Sequence, residues 1–186
     1  MNVKNLVIAV GFSALMLSGA ESAAPTENLV KDGDFSLKQN SARSFGKWWL
    51  GGPISEERKA SYDTKDFKSA PKSACIESAG STIALRQELP FLKPNTKYKV
   101  SFFMKLENVE RKEKTSGATL NIYSDRNHWC PAKFQVGTQP WTQYEAEFTS
   151  GPNTNTNAKK PAYMLLYLMN ASGKVWFDDV RLVEVK

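Results

Sequence analysis

The residues with the strongest claim to chemistry are Asp178 and Asp179. They are adjacent acids inside an apolar run, G-K-V-W-F-D-D-V-R-L-V-E-V, from Gly173 to Val185. An unpaired carboxylate buried in such a run is costly. Either the strand's edge leaves both acids in water, or one of them holds a cation or a backbone turn. The run is rich in β-branched and aromatic residues, so a strand is expected, and successive side chains on a strand point to opposite faces. On strict alternation Val175, Phe177, Asp179, Arg181 and Val183 share one side, and Trp176, Asp178, Val180, Leu182 and Val185 mostly share the other. A glycosidase needs two carboxyl groups facing each other across a cleft, which an adjacent pair on opposite faces does not supply. Glu145 and Glu147 do share a face, about 7 Å apart on a strand. Inverting hydrolysis tolerates that spacing, but glutamates alternating on a strand are far more often a solvated face. His128 is the only histidine, so a Ser-His-Asp or Cys-His system would have to run through it. These residues argue against catalysis.

They fit binding better. Sugars present flat C–H faces and many hydroxyls, so a glycan site needs aromatic platforms and planar polar groups. The platform candidates are Trp48 or Trp49, Tyr123, Trp129 and Tyr167, and the hydrogen-bonding candidates are Arg86, Arg126, Asn127 and Gln143. Trp48 and Trp49 are neighbours, so one can be core while the other is free for a ligand. The loop D-R-N-H-W-C-P, from Asp125 to Pro131, sets four recognition-type side chains beside a cysteine. Its alternative role is that of a tethered loop whose Trp129 covers the core. Trp141 and Trp176 read as packing residues, and Tyr163 is ambiguous.

The elements that must position these residues begin after the first 24. Met1 to Lys4 is a short basic head, Leu6 to Leu17 an apolar stretch, and small residues follow up to Ala24. That is the pattern of a secretory signal peptide, too short to span a bilayer. Residues 25–186 are then one domain, expected outside the cytoplasm, secreted or periplasmic. Cys75 and Cys130 are an even pair in an exported chain, so a disulfide is expected, stabilising by about 4 kcal/mol in the chain-entropy picture. The alternative is two buried thiols. The net charge of +6 comes from scattered lysines rather than one run, which suits solubility or attraction to anionic surfaces and polysaccharides more than nucleic acid.

Strand-like stretches follow one another with turn signals between them. They are 28–36, broken by an Asp-Gly turn at Asp32 and Gly33, then 47–50, 73–78, 81–89, 96–105, 118–124, 141–149, 162–169 and 173–185. Residues 107–117 are charged and aperiodic, as in an exposed loop. No stretch has a convincing helical period. The fold class is therefore all-β, an antiparallel β-sandwich.

Four motifs occur in order across nearly the whole mature chain: N-L-V-K-D-G-D-F, L-P-F-L-K-P-N-T-K-Y-K-V-S-F-F-M-K, P-W-T-Q-Y-E-A-E-F and G-K-V-W-F-D-D-V-R-L. Together they resemble the carbohydrate-binding modules of the family 4/9/22 type. That resemblance implies a galactose-binding-like jelly roll that binds a polysaccharide of β-glucan or xylan type without cleaving it, on the concave sheet or its rim. It also implies a structural calcium where the N-terminal motif meets the final strand, held by Asp178 with Gly33 and Asp34. Many members carry glutamate where this chain has Ser36, which removes a hard anionic ligand from that set. A second function is compatible with these residues: a secreted adhesion or envelope protein that binds a protein partner or a cell-surface glycan. The sequence does not reveal the oligomeric state.

Overall fold

Period-two alternation along the chain becomes two stacked antiparallel sheets in the computed structural model, which describes residues 27–52, 54–124, 127–130, 132–152 and 161–186, Asn127 by its backbone only. The expected signal peptide, residues 1–24, and Arg126 lie outside the described residues. In chain order the strands are β1 (Gln39–Ser41), β2 (Ser44–Phe45), β3 (Trp48–Gly51), β4 (Arg58–Asp63), β5 (Ser73–Ala79) and β6 (Ile83–Glu88). They continue as β7 (Lys97–Arg111), β8 (Gly117–Ser124), β9 (Asn127–Trp129), β10 (Gly137–Thr149), β11 (Tyr163–Met169) and β12 (Ala171–Glu184). One sheet has the order β1-β2-β3-β6-β11-β8-β9 and the other β10-β7-β12-β5-β4. No helix occurs among the described residues. This is the all-β jelly-roll sandwich that the motifs imply.

The inner faces meet in one core. Trp48, Leu50, Leu85, Leu120, Ile122 and Leu166 of the seven-stranded sheet are buried with Val100, Phe102, Met104, Val175 and Phe177 of the five-stranded sheet. Each such side chain contributes about 2 kcal/mol by leaving water. β4 and β7 are among the elements that differ from the expected pattern. β4 forms from R-K-A-S-Y-D, a stretch without an apolar stripe, because pairing with β5 supplies its hydrogen bonds and Ala60 and Tyr62 pack on the core. β7 runs on to Arg111, through half of the segment expected to be a loop.

Strict alternation fails within β12. Asp178 pairs with Phe103 and Arg181 with Ser101, so β12 carries one residue more than its partner, and Asp179 takes a φ of +49°. Such a bulge re-phases a strand. Val180 and Leu182 therefore join Val175 and Phe177 in the core, rather than lying on the side opposite to them. The bulge also overturns the divergence of the two acids. The Ser69 hydroxyl lies 2.8 Å from Asp179 Oδ1 and 3.3 Å from Asp178 Oδ1. Asp178 has no exposed surface, and its carboxylate accepts the backbone N–H groups of Lys68 at 2.8 Å, Ser69 at 2.9 Å and Asp179 at 2.8 Å. What this acid holds is a backbone turn.

The N-terminal motif is irregular rather than a broken strand, with positive φ at Asp32 (54°) and Phe35 (52°). It is stitched to β12 by hydrogen bonds. Leu29 N–H donates to Leu182 O at 2.8 Å and Val180 N–H to Gly33 O at 2.9 Å. Asn28 Oδ1 accepts the N–H groups of Val30 and Leu182 at 3.1 and 3.0 Å. Gly33 is required at this seam, since a Cβ there would meet the Val180 carbonyl oxygen at 2.0 Å.

The expected disulfide does not form. Cys75 lies on β5 of the five-stranded sheet, paired with Trp176 and Ser61, whereas Cys130 follows β9 of the other sheet. Both are free thiols, Cys75 buried and Cys130 exposed. Cys75 stands outside the core cluster, on the side of its sheet away from the other sheet, so the sandwich itself separates the pair. A disulfide needs Cα atoms within about 7 Å. Reductant should accordingly leave the melting temperature unchanged, and a thiol reagent should titrate one group in the native protein and two after unfolding. No reactive group after unfolding without reductant, or a drop in melting temperature on reduction, would contradict this arrangement.

Candidate functional site

Every second residue of the seven-stranded sheet faces away from the core, and register places these residues in rows. Trp49, Arg86, Leu165 and Asn121 form one row across β3, β6, β11 and β8. Glu88, Tyr163, Tyr123 and His128 form the next, across β6, β11, β8 and β9. Gly51, Ala84, Tyr167 and Thr119 form a third. Neighbours within a row are about 5 Å apart. Of the residues expected to bind, Trp49, Arg86, Tyr123 and Tyr167 are thus brought to one face. Trp49 is 50% exposed while its neighbour Trp48 is 1% exposed, the division that alternation predicts.

The second row is a continuous stack. Arg86 Cζ lies 4.3 Å from the Tyr163 ring centroid, Tyr163 and Tyr123 stack at 5.1 Å and 13°, and Tyr123 and His128 at 4.4 Å and 5°. The rings stand on the sheet with their faces toward one another. Both faces of Tyr123 and of Tyr163 are covered by neighbours, so this row presents ring edges and polar tips rather than platforms. Trp49 is different. Its ring has the Arg43 guanidinium at 5.4 Å, and Arg43 is itself fixed by donating to Gly52 O at 2.9 Å and Leu50 O at 3.3 Å. Trp49 is the exposed aromatic face of this sheet, held in place by a cation.

Polar groups surround it. Arg86 is half-exposed and forms a 3.6 Å ion pair with Glu88. Burial, and then the neighbouring Tyr123, push the Tyr167 hydroxyl up to about 12, so it stays a neutral donor and acceptor at physiological pH. Asn121 is 2% exposed, and its Oδ1 has no hydrogen-bond partner among the described residues. A buried amide oxygen without a partner is costly. Glu88 is the one carboxylate on the described strands of this face, so the pair that glycoside hydrolysis requires is missing from those strands. The face can stack a ring and exchange hydrogen bonds.

The remaining candidates lie elsewhere. Trp48 is core, its ring 5.7 Å from Phe35 and its indole N–H donating to Asp32 O at 3.0 Å. Trp129 is half-buried, with its ring 4.7 Å from Phe148 of the opposite sheet, which makes it a cover for the open side of the sandwich. Gln143 is on β10 of the five-stranded sheet and donates to Glu145 Oε1 at 3.0 Å. Glu145 and Glu147 pair with Lys99 at 2.8 Å and Lys97 at 2.5 Å, as a solvated face does. Asn127 pairs through its backbone with Ser124. His128, expected only as one of the four recognition-type side chains of the 126–129 loop, and Tyr163, ambiguous in the sequence, complete the stacked row. Parity held the signal for Tyr163: it sits four residues before Tyr167 on one strand and must share its face.

Of the calcium ligands implied by the resemblance, Gly33 and Asp34 line one hollow with Asp32, Asp179 and Val180, and Asp178 does not. Asp178 is occupied by the turn at Lys68 and Ser69, and the residue facing Gly33 is Val180. Asp34 Oδ1 accepts Ser36 N–H at 3.3 Å. No group of three or more His, Cys, Asp or Glu that could hold a metal ion occurs among the described residues. Asn28 Oδ1 and Gly33 O join the N-terminal motif to β12 by accepting the N–H groups of Leu182 and Val180.

Similar folds occur in solved structures. The enzymatically active domain of Bacteriophage CBA120 tailspike protein 4 matches with 14% identity and a TM-score of 0.57, over 85% of this chain and 21% of that one. A Stig cyclase, Fisc from Fischerella sp. TAU, matches with 15% identity and a TM-score of 0.60, over 85% and 96%. The CBM22-1 xylan-binding domain of Paenibacillus barcinonensis Xyn10C matches with 12% identity and a TM-score of 0.58, over 87% and 96%. Identities this low establish a shared fold and leave function to the site. No curated protein sequence matches the chain. The family is established by residues 27–160, which match the carbohydrate binding domain CBM_4_9, and the chain belongs to that family.

Proposed function

We propose that the outward face of the seven-stranded sheet binds a polysaccharide without cleaving it, and that the protein does so outside the cytoplasm once its first 24 residues are removed. The observation that carries this is Trp49, half-exposed on a sheet face beside Arg86 and a row of tyrosines, in a member of a carbohydrate-binding family. Trp49 stacks on a sugar ring; Arg86, Glu88 and the tyrosine hydroxyls exchange hydrogen bonds with its hydroxyls. From Trp49 on β3 to the half-buried Tyr123 on β8 the face spans three strand spacings, about 14 Å, room for a chain rather than a single ring. β-Glucan and xylan chains both suit such an open face.

Binding to a protein partner is the weaker reading. Among the other large exposed apolar residues, Leu37 precedes β1 and Ile54, Phe67 and Phe91 each stand on a different connection between strands, whereas Trp49 stands on a sheet face. Calorimetry over β-1,4-glucan, β-1,3-glucan, xylan and galactan tests the proposal. At least one chain should bind, and Trp129→Ala should bind it with unchanged affinity. Failure of the folded protein to bind any polysaccharide would end it.

A further inference from the structure

An open hollow of about 430 Å³ flanks the same sheet, lined by Arg111, Lys114, Cys130, Lys133 and Phe134. Arg111 ends β7, Lys114 lies in the turn leading into β8, and Lys133 and Phe134 follow β9. Glu110, next to last on β7, and Glu113, in the turn, do not line the hollow. None of the three cations takes part in an ion pair among the described residues. Lys97, Lys99, Lys105 and Lys174 on the five-stranded sheet are all paired with carboxylates. Among the described residues the lining of the hollow is therefore cationic and without a paired carboxylate, with an aromatic ring for a wall.

The hollow adjoins the candidate binding face. Cys130 Sγ lies 3.4 Å from Thr119 Oγ1, and Thr119 is the register partner of Tyr167. Thr119 itself is buried under Ala132, so a chain crossing the sheet from Trp49 over Tyr167 would arrive beside Cys130 and the hollow. Cations without a paired carboxylate attract a fixed anion, and a guanidinium beside two ammonium groups suits a carboxylate or a sulfate. We propose that this hollow is a second subsite, taking a carboxylate- or sulfate-bearing residue of the glycan and so selecting acidic over neutral polysaccharides. This rests on the sheet face being the glycan site.

The test uses matched polymers that differ only in charge: polygalacturonate against its methyl-esterified form, glucuronoxylan against unsubstituted xylan, and carrageenan against its desulfated form. The acidic member of at least one pair should bind about tenfold more tightly at low salt, and the advantage should fade near 0.5 M salt, where the screening length is only a few ångströms. Which pair responds distinguishes carboxylate from sulfate. Lys114→Glu with Lys133→Glu should abolish the advantage and leave affinity for the neutral member unchanged; Lys114→Gln with Lys133→Gln is the milder version if the reversal disturbs folding. Equal affinities within every pair, or an acid preference that survives both double variants, would overturn the inference. Intact neutral binding lost in Trp49→Ala would then leave the sheet-face reading standing, whereas neutral binding indifferent to Trp49 would remove both. A short DNA duplex that binds with the same dependence on Lys114 and Lys133 would make the hollow a general polyanion site and end its assignment to sugar.

Discussion

Trp49→Ala should lower affinity for the bound polysaccharide by about thirtyfold or more, the usual scale for truncating a central aromatic anchor, and should barely change stability. Trp49 is 50% exposed, and surface substitutions usually stay within about 0.5 kcal/mol. The same substitution one residue earlier should do the reverse. Trp48 is 1% exposed, packs on Phe35 and donates its indole N–H to Asp32 O. Trp48→Ala leaves a cavity and an unpaired carbonyl, and should cost about 3–5 kcal/mol. Binding by the fraction that remains folded should be close to normal. Urea titrations and calorimetry on the two proteins make the comparison. Full affinity in Trp49→Ala would move the ligand to another surface.

Asp178→Ala should destabilise the fold by about 3 kcal/mol, because it leaves the Lys68 and Ser69 N–H groups without their acceptor. The effect should depend on pH in an unusual direction. Burial, the largest influence, holds the Asp178 carboxyl above its ordinary value of 3.8, against the opposing pull of the Ser69, Lys68 and Asp179 N–H groups. The folded chain then binds this proton more tightly than the unfolded chain does. Between the folded value and 3.8, stability contributed by Asp178 rises as pH falls, and it is lost as pH rises through the folded value. Asp32, also raised chiefly by burial, acts in the same sense. Asp63 opposes them. Burial raises it, but the N–H groups of Lys65, Trp176 and Asp66 and the Lys105 cation hold it below 3.8, so its contribution is lost on acidification. Comparing wild type with Asp178→Ala cancels most of these shared effects. The stability difference between the two should be larger near pH 4 than at pH 7, and a smaller difference at pH 4 would contradict the assignment.

Alternation in the sequence was enough to locate most strands, because side-chain parity follows directly from the pleat. The same rule separated Trp48 from Trp49. It failed where one residue was added. Nothing in F-D-D-V-R marks a bulge at Asp179, yet that single residue reverses the parity of Val180 and Leu182 and turns the two acids toward one hydroxyl. β4 was illegible for another reason: its cohesion comes from pairing with β5, a separate stretch of the chain, rather than from an apolar stripe of its own. Parity also says which side of a strand a residue occupies, not which sheet the strand joins. Gln143 and Arg86 therefore looked like partners although they stand on opposite sheets, and the even cysteine count that suggested a Cys75–Cys130 bridge says as little about which sheet each joins. Only tertiary pairing could distinguish these cases.

The two unlinked thiols differ in more than position. Burial pushes the Cys75 thiol up to about 12, so almost no nucleophilic thiolate exists there at neutral pH, whereas Cys130 is exposed at the lip of the cationic hollow. The native protein thus carries one natural attachment point for a thiol-directed dye, beside the surface where a glycan chain would pass. A fluorophore coupled there would report occupancy of the sheet without any engineered cysteine, and the buried partner would keep the label from spreading to a second place.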